Sequence, residues 1–429
     1  LYTNGASGTA FGGVRLSLAP PKDVERPVER EAFVKDPYMQ HWASPLGQWF
    51  PVKGETNTFW HKGDFYGPFA LTAPMLPDTR LTFGATKTEF ADGYSLEVTA
   101  AEEAGKTTLA LSKLGHLKAK ATVPAAAGAT FTLEQDGRYL WVSVGEERCL
   151  AYRDEQPLTG TRVGITSKQP LDTTTLHVTR HHVRDFLFEQ APADWTEWGT
   201  WEITNRFSCT PTWSHMSGRS DYAAALWSKY ALAGDFTLEY YAGMRMSTTK
   251  AMSYPRVGDM NVTFGAEGSD LSTGYSYLVG AWDPGWTSKW TKLIRTTDTV
   301  AETDRPLVPR VRTDSGRRYI PVPYVADGRD VHGAWYYCKV RRIGNRIECY
   351  YDNELVLTYD ETDPLKGHRF GLWTYDNDMV VACLKVSYQR CYAPARLVPA
   401  PLPEPSVSDA EQVLLTASCA EPPASASKP

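Results

Sequence analysis

Apolar and polar side chains alternate one for one along much of this chain. In 235–246, Phe236, Leu238, Tyr240, Ala242 and Met244 fall on one side, and Thr237, Glu239, Tyr241, Gly243 and Arg245 on the other. Met260, Val262 and Phe264 repeat the pattern, with Asp259, Asn261 and Thr263 opposed. A period of two belongs to a strand with one buried face. Gly344-Asn345 separates two such runs and predicts a two-residue hairpin turn, and Asp352-Asn353 predicts a second turn. No stretch of about 12 residues holds the 3.6 period of an amphipathic helix. The pattern therefore predicts an all-β chain of many short strands, a sandwich or a barrel.

The pattern also repeats. Leu81 to Ser95 resembles Val262 to Ser276, 181 positions later and without a gap. Gly63-Asp64-Phe65 matches Gly234-Asp235-Phe236, and Gly47-Gln48-Trp49 matches Gly199-Thr200-Trp201. Tyr152 to Gly164 matches Tyr359 to Gly371 at an offset of 207. All four matches keep the same order, which predicts two tandem copies of one domain, residues 30–183 and 184–393. Residues 1–29 read as an irregular lead-in. Residues 394–429, rich in Pro, Ala and Ser, read as a disordered tail with too little apolar surface to offset its ordering entropy.

Composition narrows the function. With 45 Lys plus Arg against 50 Asp plus Glu the net charge is −5, which argues against nucleic acid as the partner. No apolar run reaches the roughly 18 residues of a membrane-spanning helix. The chain begins at Leu1, read as a mature or trimmed end whose leader, if any, is gone. The seven Cys lack C-x-x-C spacing, so a structural zinc site is not expected. A Cys209–Cys391 disulfide and buried free thiols both remain open.

The second copy carries Trp195 through Gly199-Thr-Trp201, Ala225-Leu-Trp-Ser-Lys229, Gly234-Asp-Phe236, Gly258-Asp-Met-Asn261, Gly274-Tyr275 and Arg295. It closes on Arg342 to Glu354 and Asp363 to Gly371. This resembles the concanavalin A-like (laminin G-like) jelly-roll superfamily, near bacterial 3-keto-disaccharide hydrolase-like domains. The resemblance covers about 200 residues well and the first copy weakly. It implies two packed antiparallel sheets, one concave and facing a glycan, and it implies no particular reaction.

Known catalytic signatures of such folds are missing. Retaining glycosidases hold two carboxylates about 5–5.5 Å apart, and the E-x-D-x-E run that supplies them is absent. Glu348, Asp352 and Glu354 instead straddle a turn. Neither the paired strands of the alginate-lyase-like members nor a G-x-S-x-G elbow occurs. The polar side of 235–246 is then the best candidate groove. Glu239, Asp259 and His215 are its catalytic candidates, with Glu239 as general acid or base. Tyr241, Arg245, Asn261, Trp213, Trp227, Trp282, Trp286 and Arg295 are the candidate substrate-binding residues, the Trp rings as stacking platforms.

Aligning Phe65 with Phe236 sets Pro68 against Glu239 and Pro74 against Arg245, and aligning Leu81 with Val262 sets Asp78 against Asp259 and Arg80 against Asn261. An Asp shared by both copies reads as a turn residue, and the first copy as an accessory or scaffold. From Arg295 to Arg346 ten Arg and one Lys face six acids, which predicts an anionic polysaccharide. The expected function is a secreted, periplasmic or cell-surface protein of a bacterium that binds and processes a polysaccharide or oligosaccharide, as glycoside hydrolase or polysaccharide lyase. The alternatives are a non-catalytic lectin-like protein and a cell-surface adhesion protein. No cofactor is predicted, and a structural calcium ion is compatible with the resemblance.

Overall fold

A computed structural model describes residues 47–186, 188, 194–204, 215–244, 258–282, 289–303 and 336–393. Among these residues the elements are strands and short turns of 3-10 helix, with no α-helix. The first half contains β1 (Trp49–Pro51), β2 (Thr58–His61), β3 (Phe69–Pro74), β4 (Thr79–Ala85), β5 (Tyr94–Ala100) and β6 (Lys106–Lys113). It continues with β7 (His116–Pro124), β8 (Thr130–Asp136), β9 (Tyr139–Val144), β10 (Glu147–Arg153), β11 (Arg162–Ser167) and β12 (His177–Arg180). All pairings are antiparallel, in a seven-stranded sheet ordered β1-β2-β11-β4-β5-β6-β7 and a five-stranded sheet ordered β10-β9-β8-β3-β12. Alternation puts Leu81, Phe83, Leu96 and Ile165 of the first sheet against Leu71, Phe131, Leu133 and Val142 of the second, and these fully buried side chains form one core.

The second half opens with β13 (Val183–Phe186), β14 (Trp195–Trp198), β15 (Thr200–Thr204), β16 (His215–Ser228), β17 (Ala231–Met244) and β18 (Asn261–Ala266). Then come β19 (Tyr275–Trp282), β20 (Lys289–Arg295), β21 (Asp298–Thr303), β22 (Tyr336–Ile343), β23 (Arg346–Tyr351), β24 (Glu354–Asp360) and β25 (Arg369–Tyr392). These thirteen strands are hydrogen-bonded into one sheet that folds over on itself. The fold-over is made by β16 and β25. The first part of β25 pairs with β18 and the end of β16, and its last part pairs with β17 and β13. Register slips between Ser220 and Ala223, and Cys383 has φ of 47°, so both strands bend at bulges.

Two layers result, with Phe236, Leu238, Val340 and Val386 of the β17 layer packed on Val262, Phe264, Tyr275 and Leu372 of the β18 layer. Phe236 meets Phe264 edge to face at 5.8 Å between ring centroids. Both predicted turns are present: Ile343 pairs with Arg346 around Gly344, and Tyr351 with Glu354 around Asp352 and Asn353, which take the positive φ such turns require. The chain is thus an all-β protein built of two jelly-roll β-sandwiches.

The same local devices occur in both sandwiches. The Tyr94 hydroxyl donates to Asp154 at 2.6 Å and Lys113 pairs with that carboxylate at 2.8 Å. In the second sandwich Tyr275 donates to Glu361 at 2.5 Å, and Arg295 pairs with it at 2.8 Å. Trp60 lies over Gly164 and Trp227 over Gly371. Asp78 and Asp259 share a left-handed backbone, φ of 60° and 54°.

The register shifts two of the sequence matches. Trp195 on β14, not Trp201, takes the place that Trp49 has on β1, because β14 pairs with the Trp227 end of β16 as β1 pairs with the Trp60 strand. Phe69, not Phe65, corresponds to Phe236, since β3 pairs with β8 as β17 pairs with β22. Thr72, not Pro68, therefore stands where the second sandwich has Glu239.

Candidate functional site

The alternation in β17 holds: Phe236, Leu238, Tyr240 and Ala242 enter the core, and Thr237, Glu239 and Tyr241 face away from it. The outward face is not an open groove, however. Glu239 is only 3% exposed, because the segment 62–66 and Thr161-Arg162 of the first sandwich lie across β17, β22 and β23. Burying the polar side of a strand is costly unless its groups are paired, and here most are.

Asp64 is the centre of that pairing. Its carboxylate accepts from Thr161 at 2.5 Å, Thr237 at 2.7 Å and the Arg341 Nε at 3.0 Å. Burial acts to raise the Asp64 acid, but Arg341, Arg162 and Lys339 outweigh it and hold the carboxyl well below the usual range. Arg341 also donates to Glu348 at 3.0 Å, and Arg162 donates to the Tyr350 hydroxyl at 2.8 Å. Beside this cluster the Lys62 Nζ donates to the Tyr241 hydroxyl at 3.0 Å, and the Tyr337 hydroxyl donates to Glu239 Oε1 at 2.6 Å. Burial, then Glu239, pushes Tyr337 far up, so it is a neutral donor. The other oxygen, Oε2, is buried without a hydrogen-bond partner.

The opposite, β18-bearing layer presents a different face. Register places Trp198, Ala225, Trp373 and Asn261 in one row across β14, β16, β25 and β18. Tyr375 follows two residues beyond Trp373. Trp198 is 46% exposed and Tyr375 51%, while Ala225 between the tryptophans is buried. The Trp373 indole donates to Thr263 at 2.9 Å, which fixes its ring, and Thr263 in turn meets Ser276 at 2.6 Å. Asn261 accepts from the Val279 amide at 3.1 Å, and its Nδ2 is buried without a hydrogen-bond partner. Two strand spacings, about 9.6 Å at 4.8 Å each, separate the Trp198 and Trp373 backbones. At the corresponding places the first sandwich has Val52, Thr58, Thr166 and Arg80, with Thr58 and Thr166 hydrogen-bonded at 2.8 Å and no aromatic ring among them.

The expected site residues are therefore dispersed. Glu239 and Tyr241 lie in the covered face. Asp259 is 6% exposed in a left-handed turn, and Asn261 points away from the core but is fully buried. Trp227, expected as a stacking platform, is 0% exposed over Gly371, because a residue without a side chain below it leaves room for the indole to sink. Arg295 binds Glu361 and the Asp363 carbonyl, both at 2.8 Å. The backbone of His215 opens β16 and that of Trp282 closes β19; their side chains, and all of Trp213, Arg245 and Trp286, lie outside the described residues.

So do Cys209, residues 1–46, most of the arginine-rich stretch and the tail. Of that stretch, Arg341 and Arg346 pair with Glu348 and with Asp64 or Asp360. Among the described residues no three His, Cys, Asp or Glu side chains converge as metal ligands. Trp198, Trp373 and Tyr375 were not singled out from the sequence. The available signal was the alternation Phe370, Leu372 inward against Trp373, Tyr375 outward.

No family model matches the chain, and no curated protein does. Among solved structures it is similar to carbohydrate binding module CBM66 from Bacillus subtilis, with 21% identity and a TM-score of 0.29 over 45% of this chain and 94% of that one. A Bacillus subtilis protein of galectin-like fold matches with 14% identity and a TM-score of 0.32 over 49% and 96%. The exoplasmic/lumenal domain of VIP36, in a form bound to calcium and Man3GlcNAc, matches with 12% identity and a TM-score of 0.31 over 49% and 88%. Each match covers about half of this chain.

Proposed function

We propose that the protein binds carbohydrate on the open face of its second sandwich, with Trp198, Trp373 and Tyr375 as the stacking surface, and that it works outside the cell. The observation that carries this reading is the group of aromatic rings on one sheet face, Trp198 and Tyr375 exposed and Trp373 half-buried beside them. Large exposed aromatic surface is costly in water and marks a contact site, and indole and phenol rings offer flat apolar faces to the C–H faces of a sugar. The spacing of the two tryptophans suits an oligosaccharide better than one sugar ring. The hydrogen-bonding groups beneath the Trp373 ring, Thr263 and Ser276, are uncharged and, like Asn261, buried, so contact with a ligand falls mainly to the rings, and a neutral glycan is the favoured ligand. Binding is preferred to processing because Glu239 and Asp259 each have a place in the fold that needs no substrate.

Titration of the full chain against a panel of neutral and acidic polysaccharides tests this. Trp198→Ala and Trp373→Ala should each weaken binding about tenfold, about 1.4 kcal/mol, with the melting temperature nearly unchanged for the exposed Trp198. Tyr139→Ala, on the first sandwich, should leave binding intact. Absence of binding to every glycan, or loss only in Tyr139→Ala, would overturn the assignment.

A further inference from the structure

We propose that the segment bearing Lys62 and Asp64 is a proton-linked clamp: it fastens the first sandwich onto the second, and protonation of the Lys62 amine loosens it. Lys62 is 2% exposed, donates to the Tyr241 hydroxyl at 3.0 Å and sits 4.8 Å from the Tyr337 ring centroid. Two residues on, Asp64 binds Arg341 and Thr237 of the second sandwich. The Arg180 guanidinium braces the same segment by donating to the Asp64 carbonyl at 2.7 Å and to Ser387 at 3.0 Å. One short segment thus carries a buried anion and a buried amine into the same face.

Charges of both signs surround the amine. From β17 it faces Glu239 and Tyr241, and from β22 Tyr337 and Lys339; Asp352 in the following turn adds an acid, and β25 adds Lys385 and Cys383. Glu239 and Asp352 favour the ammonium, while Lys339 and Lys385 oppose it. Burial is the largest influence and lowers the amine from 10.5 to about 7. Lys339, whose Nζ donates to the Lys62 carbonyl at 3.1 Å, is lowered to about 8, again mainly by burial. Asp64 stays ionised throughout the neutral range, so the segment has one permanent anchor and one that titrates.

The sign follows from proton linkage. An undocked Lys62 keeps its ordinary value of 10.5, so between about 7 and 10.5 the undocked state holds the extra proton and docking strengthens as pH rises. Below about 7 both states are protonated and this dependence ends. The buried thiols Cys338, Cys349 and Cys383 are pushed up from 9.0 and act in the opposite sense near that value and above, so the useful window is about pH 7 to 8.5.

Amide hydrogen exchange on the full chain, corrected for intrinsic rates, reads the opening equilibrium directly. The amides of Lys62 and Phe65 donate to the Gln48 and Thr161 carbonyls of the same sandwich, so they report on the opening of the segment that carries Lys62 and Asp64. Their opening constant should fall about tenfold between pH 7 and 8.5, while Leu96 and Leu109 in the first core change little. In Lys62→Met, and in Lys62→Arg, whose guanidinium stays charged, the clamp amides should lose this pH dependence between pH 7 and 8, with Lys339 contributing only above about 8. A flat wild-type profile overturns the proposal whether or not the variants fold, and so does a variant that keeps the wild-type slope.

Discussion

Asp64 shows how one side chain can hold two sandwiches together. It is 1% exposed and bonds to Thr161 of its own sandwich and to Thr237 and Arg341 of the other. Removing one partner of a buried pair leaves the other charge unpaired, at about 3–5 kcal/mol. Asp64→Asn should therefore lower the denaturant midpoint of the full chain by a corresponding amount, and a loss below about 1 kcal/mol would mean that Arg341 finds a substitute acceptor. Nothing in the local sequence singles out Asp64: Gly63-Asp64-Phe65 reads as a turn motif, and its partners lie 97, 173 and 277 residues away. Asp259 is the reverse case. Its match to Asp78 pointed to a turn, and both residues have left-handed φ.

At the scale of elements, the sheets follow from the period-two pattern, and their close approaches follow from glycine. A Cβ on Gly371 would lie 2.8 Å from Trp227 Cδ2, and one on Gly164 2.7 Å from Trp60 Cδ2. Both indoles are buried, so neither can swing away. Gly371→Ala and Gly164→Ala should each destabilise the protein by about 1–3 kcal/mol, the usual cost of overpacking, measured by urea denaturation; a neutral Gly371→Ala would show that Trp227 has room to move. The strand periodicity of β17 and the hairpin around Gly344-Asn345 were legible because each depends on neighbours within a few residues. The offsets between copies were less so. Turn motifs such as Gly-Asp-Phe recur by composition, and only the hydrogen-bonded register shows that Phe69 rather than Phe65 corresponds to Phe236.

At the scale of the whole molecule, the two sandwiches meet through charged groups that are nearly all withdrawn from water. Salt screens exposed pairs and affects buried ones far less. Raising ionic strength from about 0.1 to 1 M, which shortens the Debye length from about 10 to about 3 Å, should leave the radius of gyration unchanged in small-angle scattering. Expansion at high salt would place the pairs in contact with solvent. Among the described residues, the docked arrangement also separates the faces of the second sandwich into one covered by the first sandwich, with Glu239, Tyr241 and Arg341, and one that carries Trp198, Trp373 and Tyr375.

The alternation of side chains was enough by itself to determine an all-β chain, which residues of β17 and β18 enter the core, and where the two-residue turns fall. These depend on local backbone geometry and on which side of a strand is apolar. Alternation also separates the polar side of β17 from its core side, but it is blind to what covers that side. Whether Glu239 meets water, sugar or another domain depends on Lys62 and Asp64, which lie more than 170 residues away in sequence and share its face only after both sandwiches have folded. Tertiary structure alone decided that, because burial and charge pairing are properties of the assembled surface, and the aromatic row on the other layer became the exposed one for the same reason.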